Sequence, residues 1–160
     1  IVREVVATYA ADDAAPVSIS GVPDELVLHA DPGQLRQLVS NLLKNALEAA
    51  GTEAAGTDGA VTVVADVVRK GNEGFCRLQI EDNGPGIPDE QQTRIFDPYM
   101  TTKRNGTGLG LAIVQRIVFD HHGQIWFETQ RDVGTTFYVD LPLEPSPTPT
   151  RRADVDDPGH

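Results

Sequence analysis

The stretch DPGQLRQLVSNLLKNALEAAG, residues 31–51, constrains the fold more than any other part of the chain. Asp31 suits an N-cap, because its carboxylate can accept a hydrogen bond from an unpaired first-turn amide. Pro32 suits the first turn, where its missing N–H removes no helical bond, and Gly51 suits the position just past the end. Between them Leu35, Leu38, Leu42, Ala46 and Ala49 recur at helical spacing and form an apolar stripe. Asn41, Lys44, Asn45 and Glu48, at i, i+3, i+4 and i+7, share a different face. The boundary signals and both stripes agree on one long helix with a core side and a polar side.

The rest of the chain alternates between helical and extended patterns. IVREVVATYA predicts a short first helix, with Ile1, Val5, Thr8 and Tyr9 at helical spacing. VSIS (17–20) and LVLHA (26–30) read as short strands around the turn residues Gly21, Pro23 and Asp24. VTVVADVVR and FCRLQIED, joined through KGNEG, read as a β-hairpin. DEQQTRIF is expected to be a short helix, and residues 109–122 a third apolar helix stopped by Gly123. QIWFET and TTFYVDLPL close the chain as two strands turning near RDVG. Helices and antiparallel hairpins in this order predict an α+β two-layer sandwich, with helices on one face of a mixed sheet and the other face open or lightly covered. Residues 1–143 are expected to form one domain, and the Pro-rich, core-poor stretch 144–160 a disordered tail.

Charge and cysteine usage narrow the chemistry. A net charge of −11 over 160 residues argues against a nucleic-acid partner, so any polyphosphate must be held locally by backbone amides, a metal ion or the few clustered cations Arg94, Lys103 and Arg104. The single cysteine, Cys76, excludes a disulfide framework and a multi-thiolate zinc site. It and Trp126 alternate with polar neighbours and are expected in the core. No apolar run is long enough to cross a bilayer, and the expected setting is the cytoplasm. Ile1 opens an ordinary amphipathic segment, so the chain is expected to be a piece of a longer protein, which can itself be anchored in the inner membrane.

Three segments carry candidate chemistry. A polar helix face is ordinarily a solvated one, but asparagine is a poor helix former, and two on one face call for a reason. An asparagine amide oxygen is a hard neutral ligand that can hold Mg²⁺ and leave the ion free to bridge phosphates. IEDNGPGIPDE reads first as a tight turn after a strand. Alternatively, Asp82 at the strand end accepts a hydrogen bond from an exocyclic amine, while Gly84 and Gly86 let a flat ring approach the backbone. KRNGTGLGLAIV is no Walker loop, because Lys103 precedes the glycines, and no Rossmann fingerprint, because Leu111 stands at the third glycine. What remains is a glycine-rich entry to an apolar helix, whose unpaired amides favour an anion.

Taken in order, NLLKNALEA, DNGPGIP, IFDPYMTTK, GTGLGLAIV and GTTFYVDLP resemble the N, G1, F, G2 and G3 boxes of the ATP-binding catalytic domain of sensor histidine kinases, a branch of the Bergerat-fold (GHKL) ATPases together with gyrase and MutL. FDPYMTTK and AIVQRIVFDHHGQI look closest to the nitrogen-regulation branch, the NtrB and NtrY type. The resemblance implies the Bergerat sandwich, with three main helices on one face and a mobile ATP lid. It implies ATP and Mg²⁺ as cofactors, with Asn45 the metal ligand, Asn41 near the phosphates and Lys44 a phosphate contact. Asp82 would bind the adenine amine, with Gly84, Gly86 and Ile87 shaping the pocket and Thr135 at its base. Phe96 and Tyr99 would anchor a lid running from about Asp97 to Thr107, in which Lys103 and Arg104 reach the phosphates. Gly106, Thr107, Gly108, Leu109, Gly110 and Leu111 would form its hinge and phosphate-facing turn. Catalysis would rest on Asn45, Lys44 and Lys103.

The partners so implied are a histidine-bearing dimerisation domain of the same protein and, through the full kinase, a response regulator; the parent would be a homodimer and this piece a monomer. None of His29, His121, His122 and His160 is followed by the acidic residue and downstream proline of the family's phosphoacceptor box, so the acceptor is expected elsewhere. His121 and His122 are expected at a helix end, where an imidazolium suits the dipole. Two rivals remain. One is an ATP-hydrolysing relative, although such enzymes carry a glutamate base where Asn41 stands. The other is a non-catalytic nucleotide-dependent interaction module.

Overall fold

A computed structural model describes residues 1–10, 16–21, 26, 28–51, 59–101 and 106–143. The elements run α1 (Val2–Ala10), β1 (Val17–Ser20), α2 (Pro32–Ala50), β2 (Val61–Lys70), β3 (Glu73–Asp82), α3 (Asp89–Gln92), α4 (Gly110–Asp120), β4 (Gln124–Gln130) and β5 (Gly134–Pro142). The strands form one sheet in the order β1-β2-β3-β5-β4. Only β1 and β2 are parallel, so the sheet is mixed.

The helix boundaries follow local chemistry. Asp31 accepts from the Gln34 amide at 2.8 Å and caps α2, while the Gly51 amide donates back to Leu47 at its other end. Leu38, Val39, Leu42 and Leu43 of α2 are almost fully buried against Val63, Leu78, Ile80 and Val139 of the sheet and Val114 and Val118 of α4. Each such side chain contributes about 2 kcal/mol of transfer free energy. α1 packs on α2 and β1, which completes the helical layer. The expected α+β two-layer sandwich is therefore present. Among the described residues no helix is long and apolar enough to cross a membrane.

The open face of the sheet carries its own lattice. The Trp126 and Tyr138 rings stack at 5.2 Å, 7° from parallel, with the Arg77 guanidinium 4.9 Å from the Trp126 centroid. Below them the Asp140 carboxylate, 0% exposed, takes two bonds from Arg77 at 2.7 and 2.8 Å and one from Lys70 at 2.8 Å. Burial alone would raise this carboxyl, but the charge-assisted bonds outweigh it and hold it below the usual range. Trp126 thus belongs to the outer face rather than the core: alternation gives a strand's two faces but does not say which one meets the helices. Cys76 points inward, and its burial, helped by the charges of Asp140 and Asp66, pushes its thiol up to about 11, an unreactive value.

Two expected elements differ. Leu26 and residues 28–30, expected as strand, pair with no strand of the sheet, and Val27 lies outside the described residues. The helix expected over 89–96 ends at Gln92; beyond it the Arg94 and Asp97 amides bond three residues back instead of four, so the chain coils in tight turns. His121 stands at the end of α4, as expected. Its Nε2 accepts the Asp31 amide at 3.1 Å while Nδ1 meets the Ile117 carbonyl at 2.8 Å. His121 is thus a hydrogen-bonded staple between α2 and α4.

Candidate functional site

Register builds the floor of the site. Asp82, the last residue of β3, lies opposite Thr135 of β5, and Thr135 lies opposite Thr129 of β4. Asp82 is 5% exposed and accepts the Gly84 amide at 2.9 Å. Its burial raises the carboxyl to about 6, against the lowering effect of the Gly84 and Thr135 amides. A carboxylate kept dry and close to its ionisation point is poised to gain from an incoming hydrogen-bond donor. Gly86 adopts φ 76, and a Cβ there would stand 2.5 Å from the Gln130 carbonyl, so only glycine lets the 83–88 loop lie this close to the β4–β5 hairpin.

α2 supplies one wall. Asn41, Lys44, Asn45 and Glu48 all line the same cavity as Asp82 and Thr135, the asparagines half-buried and Lys44 and Glu48 exposed at its border. Asn41 Nδ2 reaches the Gly110 carbonyl at 3.5 Å, which leaves its amide oxygen unused by that contact. Opposite stands the start of α4, where Leu109 occupies the cap position without a side-chain cap bond, so first-turn amides are available to an anion. The cavity measures about 280 Å³, within reach of the lower size range of ligand pockets.

Of the expected site residues, Gly86, Ile87, Gly106, Thr107, Gly108, Gly110 and Leu111 also line this cavity. Gly84 sits behind it, against the Ala49 carbonyl and the Asp82 carboxylate. Leu109 directs its amide to Thr107 Oγ1 at 3.4 Å and does not line it. Tyr99 does not line it either: a φ of 65 carries its ring outward, to 76% exposure, and it holds the loop through its amide, which donates to Gly108 at 2.8 Å. Gly108 has φ 68 and would drive a Cβ into the Tyr99 backbone. Phe96 does pack as an anchor, against Phe127 and Phe137. Lys103 and Arg104 lie outside the described residues.

The cavity also takes in Ala49, Gln91, Ile95, Met100, Thr101 and Phe137, which were not among the expected binding residues. Of these, Met100 alone carried a sequence signal, as an apolar side chain within the expected lid.

A buried carboxylate, uncapped helix amides and two carboxamide side chains thus meet at one cavity. A profile of the Histidine kinase-, DNA gyrase B-, and HSP90-like ATPase family matches residues 30–145. The chain belongs to that family, and within it to the catalytic domains of sensor histidine kinases. It is 38% identical over 140 residues to the sensor histidine kinase ZraS of Klebsiella oxytoca, covering 88% of this chain and 29% of that protein. It is 44% identical over 117 residues to the sensory histidine kinase/phosphatase NtrB of Azospirillum brasilense, covering 69% of this chain and 29% of the relative. The nucleotide-free catalytic domain of histidine kinase ThkA superposes with a TM-score of 0.75 at 30% identity, covering 90% of this chain and 91% of that one. ThkA has also been solved with the response regulator protein TrrA, at a TM-score of 0.69 and 28% identity, covering 90% of this chain and 40% of that one. The chain spans under a third of the curated relatives it matches.

Proposed function

We propose that this domain binds Mg-ATP and presents its γ-phosphate to a histidine on a separate dimerisation domain. The observation that carries the reading is the convergence of Asn41 and Asn45 of α2, Asp82 of β3 and Gly110 of α4, from three distant stretches of chain, on one cavity. The adenine amine would donate to Asp82, and the phosphates would run toward the α4 amides and Lys44. The donor set fits Mg²⁺: Asn45, with Asn41 beside it, offers neutral oxygen on the phosphate side, and Asn45 is the ligand we assign. The ion when bound would neutralise phosphate charge.

This chain's own contribution is positioning and charge complementarity. Lys44 and the helix amides favour the phosphates, and Lys103 and Arg104 are assigned by resemblance to close over them. A histidine nitrogen from the other domain would attack the γ-phosphorus as the bond to the β–γ bridging oxygen breaks and ADP leaves. The site offers no glutamate at Asn41, whose amide cannot take a proton from water, which supports transfer over hydrolysis. Pairing with a response regulator would follow in the whole kinase, as the ThkA–TrrA structure suggests for this architecture. ZraS and NtrB match at comparable identity, so the resemblance to the nitrogen-regulation branch extends beyond it.

Mixing the domain with γ-labelled ATP, Mg²⁺ and a separate histidine-bearing dimerisation domain from a matching kinase tests the reading. Label on the acceptor histidine, lost in the Asn45→Ala variant, is the expected result. ATP binding without any transfer would overturn it.

A further inference from the structure

We propose that Thr129, which does not line the cavity, is a positioning residue: its hydroxyl sets the direction of the Thr135 hydroxyl proton and so selects adenine over a 6-oxopurine. This rests on the ATP-binding reading above.

Thr129 Oγ1 has three neighbours. The Ile87 amide donates to it at 2.9 Å, Thr135 Oγ1 lies at 2.9 Å, and the Gly134 carbonyl lies at 3.3 Å. A hydroxyl has a single proton to give. Thr129 is within donating distance of both oxygens, and we assign its proton to the shorter contact, Thr135 at 2.9 Å, over the Gly134 carbonyl at 3.3 Å. The opposite arrangement, in which Thr135 donates to Thr129, would leave only lone pairs facing the cavity. With Thr129 as donor, Thr135 accepts from behind and turns its own proton toward the ligand.

Beside that donor stands the Asp82 carboxylate, an acceptor, one strand away in the same row. Acceptor next to donor matches adenine, which presents an N6 amine beside N1. A 6-oxopurine presents O6 beside N1–H, the reverse pattern, and meets both groups with the wrong polarity. Thr129 also ties the 83–88 loop to the floor through Ile87, so the loop and the selector share one hydroxyl.

Titration of the domain with ATP and with inosine 5′-triphosphate, which differ only at this edge, is the test. Thr129→Val removes the proton and the acceptor while keeping side-chain volume; the ATP-to-inosine-triphosphate affinity ratio is expected to fall about tenfold. Thr129→Ser, which restores the hydroxyl, should keep the ratio within about twofold of the parent. Simple loosening of the loop would weaken both nucleotides alike and leave the ratio unchanged, which overturns the proposal. Should the valine variant fail to fold by circular dichroism, Thr129→Ala carries the same comparison. Parent domain that binds no ATP overturns the underlying reading; parent binding with an unchanged ratio in the folded apolar variant overturns the role of Thr129 alone.

Discussion

Asp82 combines burial with the acceptor role we propose for it, and its cost and its use can be separated by pH. Its carboxyl is raised to about 6 in the folded chain, above the roughly 3.9 of an unfolded aspartate. Between these values the folded state holds a proton that the unfolded state has lost, so stability contributed by this group is greatest at low pH and falls as pH rises through about 6. In the proposed binding mode the ligand has the opposite requirement, because an amine is received best by the ionised form. ATP affinity should therefore decline below pH 6, by about tenfold per unit once the carboxyl is protonated. Asp82→Asn should lower ATP affinity by roughly two orders of magnitude, flatten that pH profile, and unfold at the same temperature as the parent or higher. Calorimetric titration from pH 5 to 8 with thermal melts measures all three; an asparagine variant that binds ATP normally would misplace the adenine pocket. Asp82 was legible because a carboxylate at a strand end followed by glycines is a local pattern. Thr129 was not, because its partners Ile87 and Thr135 come to it only through strand register and a loop 42 residues away.

At the scale of elements, legibility followed periodicity. α2 was readable at both ends because cap, proline and terminal glycine are local signals. The two hairpins were readable because alternation and turn residues coincide. Leu26 and residues 28–30 misled because a short apolar alternation carries no information about whether a partner strand pairs with it. The outer sheet face was also hidden, since its stability comes from cross-strand neighbours: Arg77 on β3, Lys70 on β2, Asp140 on β5 and Trp126 on β4. Its centre is Asp140, and removing it leaves Arg77, 25% exposed, without its bidentate partner. Asp140→Ala is expected to destabilise the domain by about 3 kcal/mol in urea titration, while a mutant retaining full stability would reduce the lattice to decoration. Because the folded carboxyl lies below its usual range, the contribution is present above about pH 4 and is lost only as pH falls through the lower folded value.

Across the whole molecule, the site exists only when distant parts are assembled. α2 and α4 meet each other and the sheet, the His121 staple holds the start of α2 to the end of α4, and the cavity lies between them. A ligand that touches α2, the 83–88 loop, the start of α4 and β5 at once binds the folded chain and not the unfolded one, so occupancy must appear as stability. At a hundredfold excess over its dissociation constant, Mg-ATP should add about 2.7 kcal/mol, which for a domain of this size raises the melting temperature by on the order of 8 °C. The variants divide that shift. Asp82→Asn should cut it to about 1 °C with or without metal, since the base is no longer held. Asn45→Ala should retain a reduced shift with ATP alone and lose the increment that Mg²⁺ adds, because only the phosphate side is affected. Melts of the three proteins with ATP, Mg²⁺ or both distinguish these outcomes. A magnesium increment that survives in Asn45→Ala would remove the metal from α2 and with it the assignment of the polar stripe.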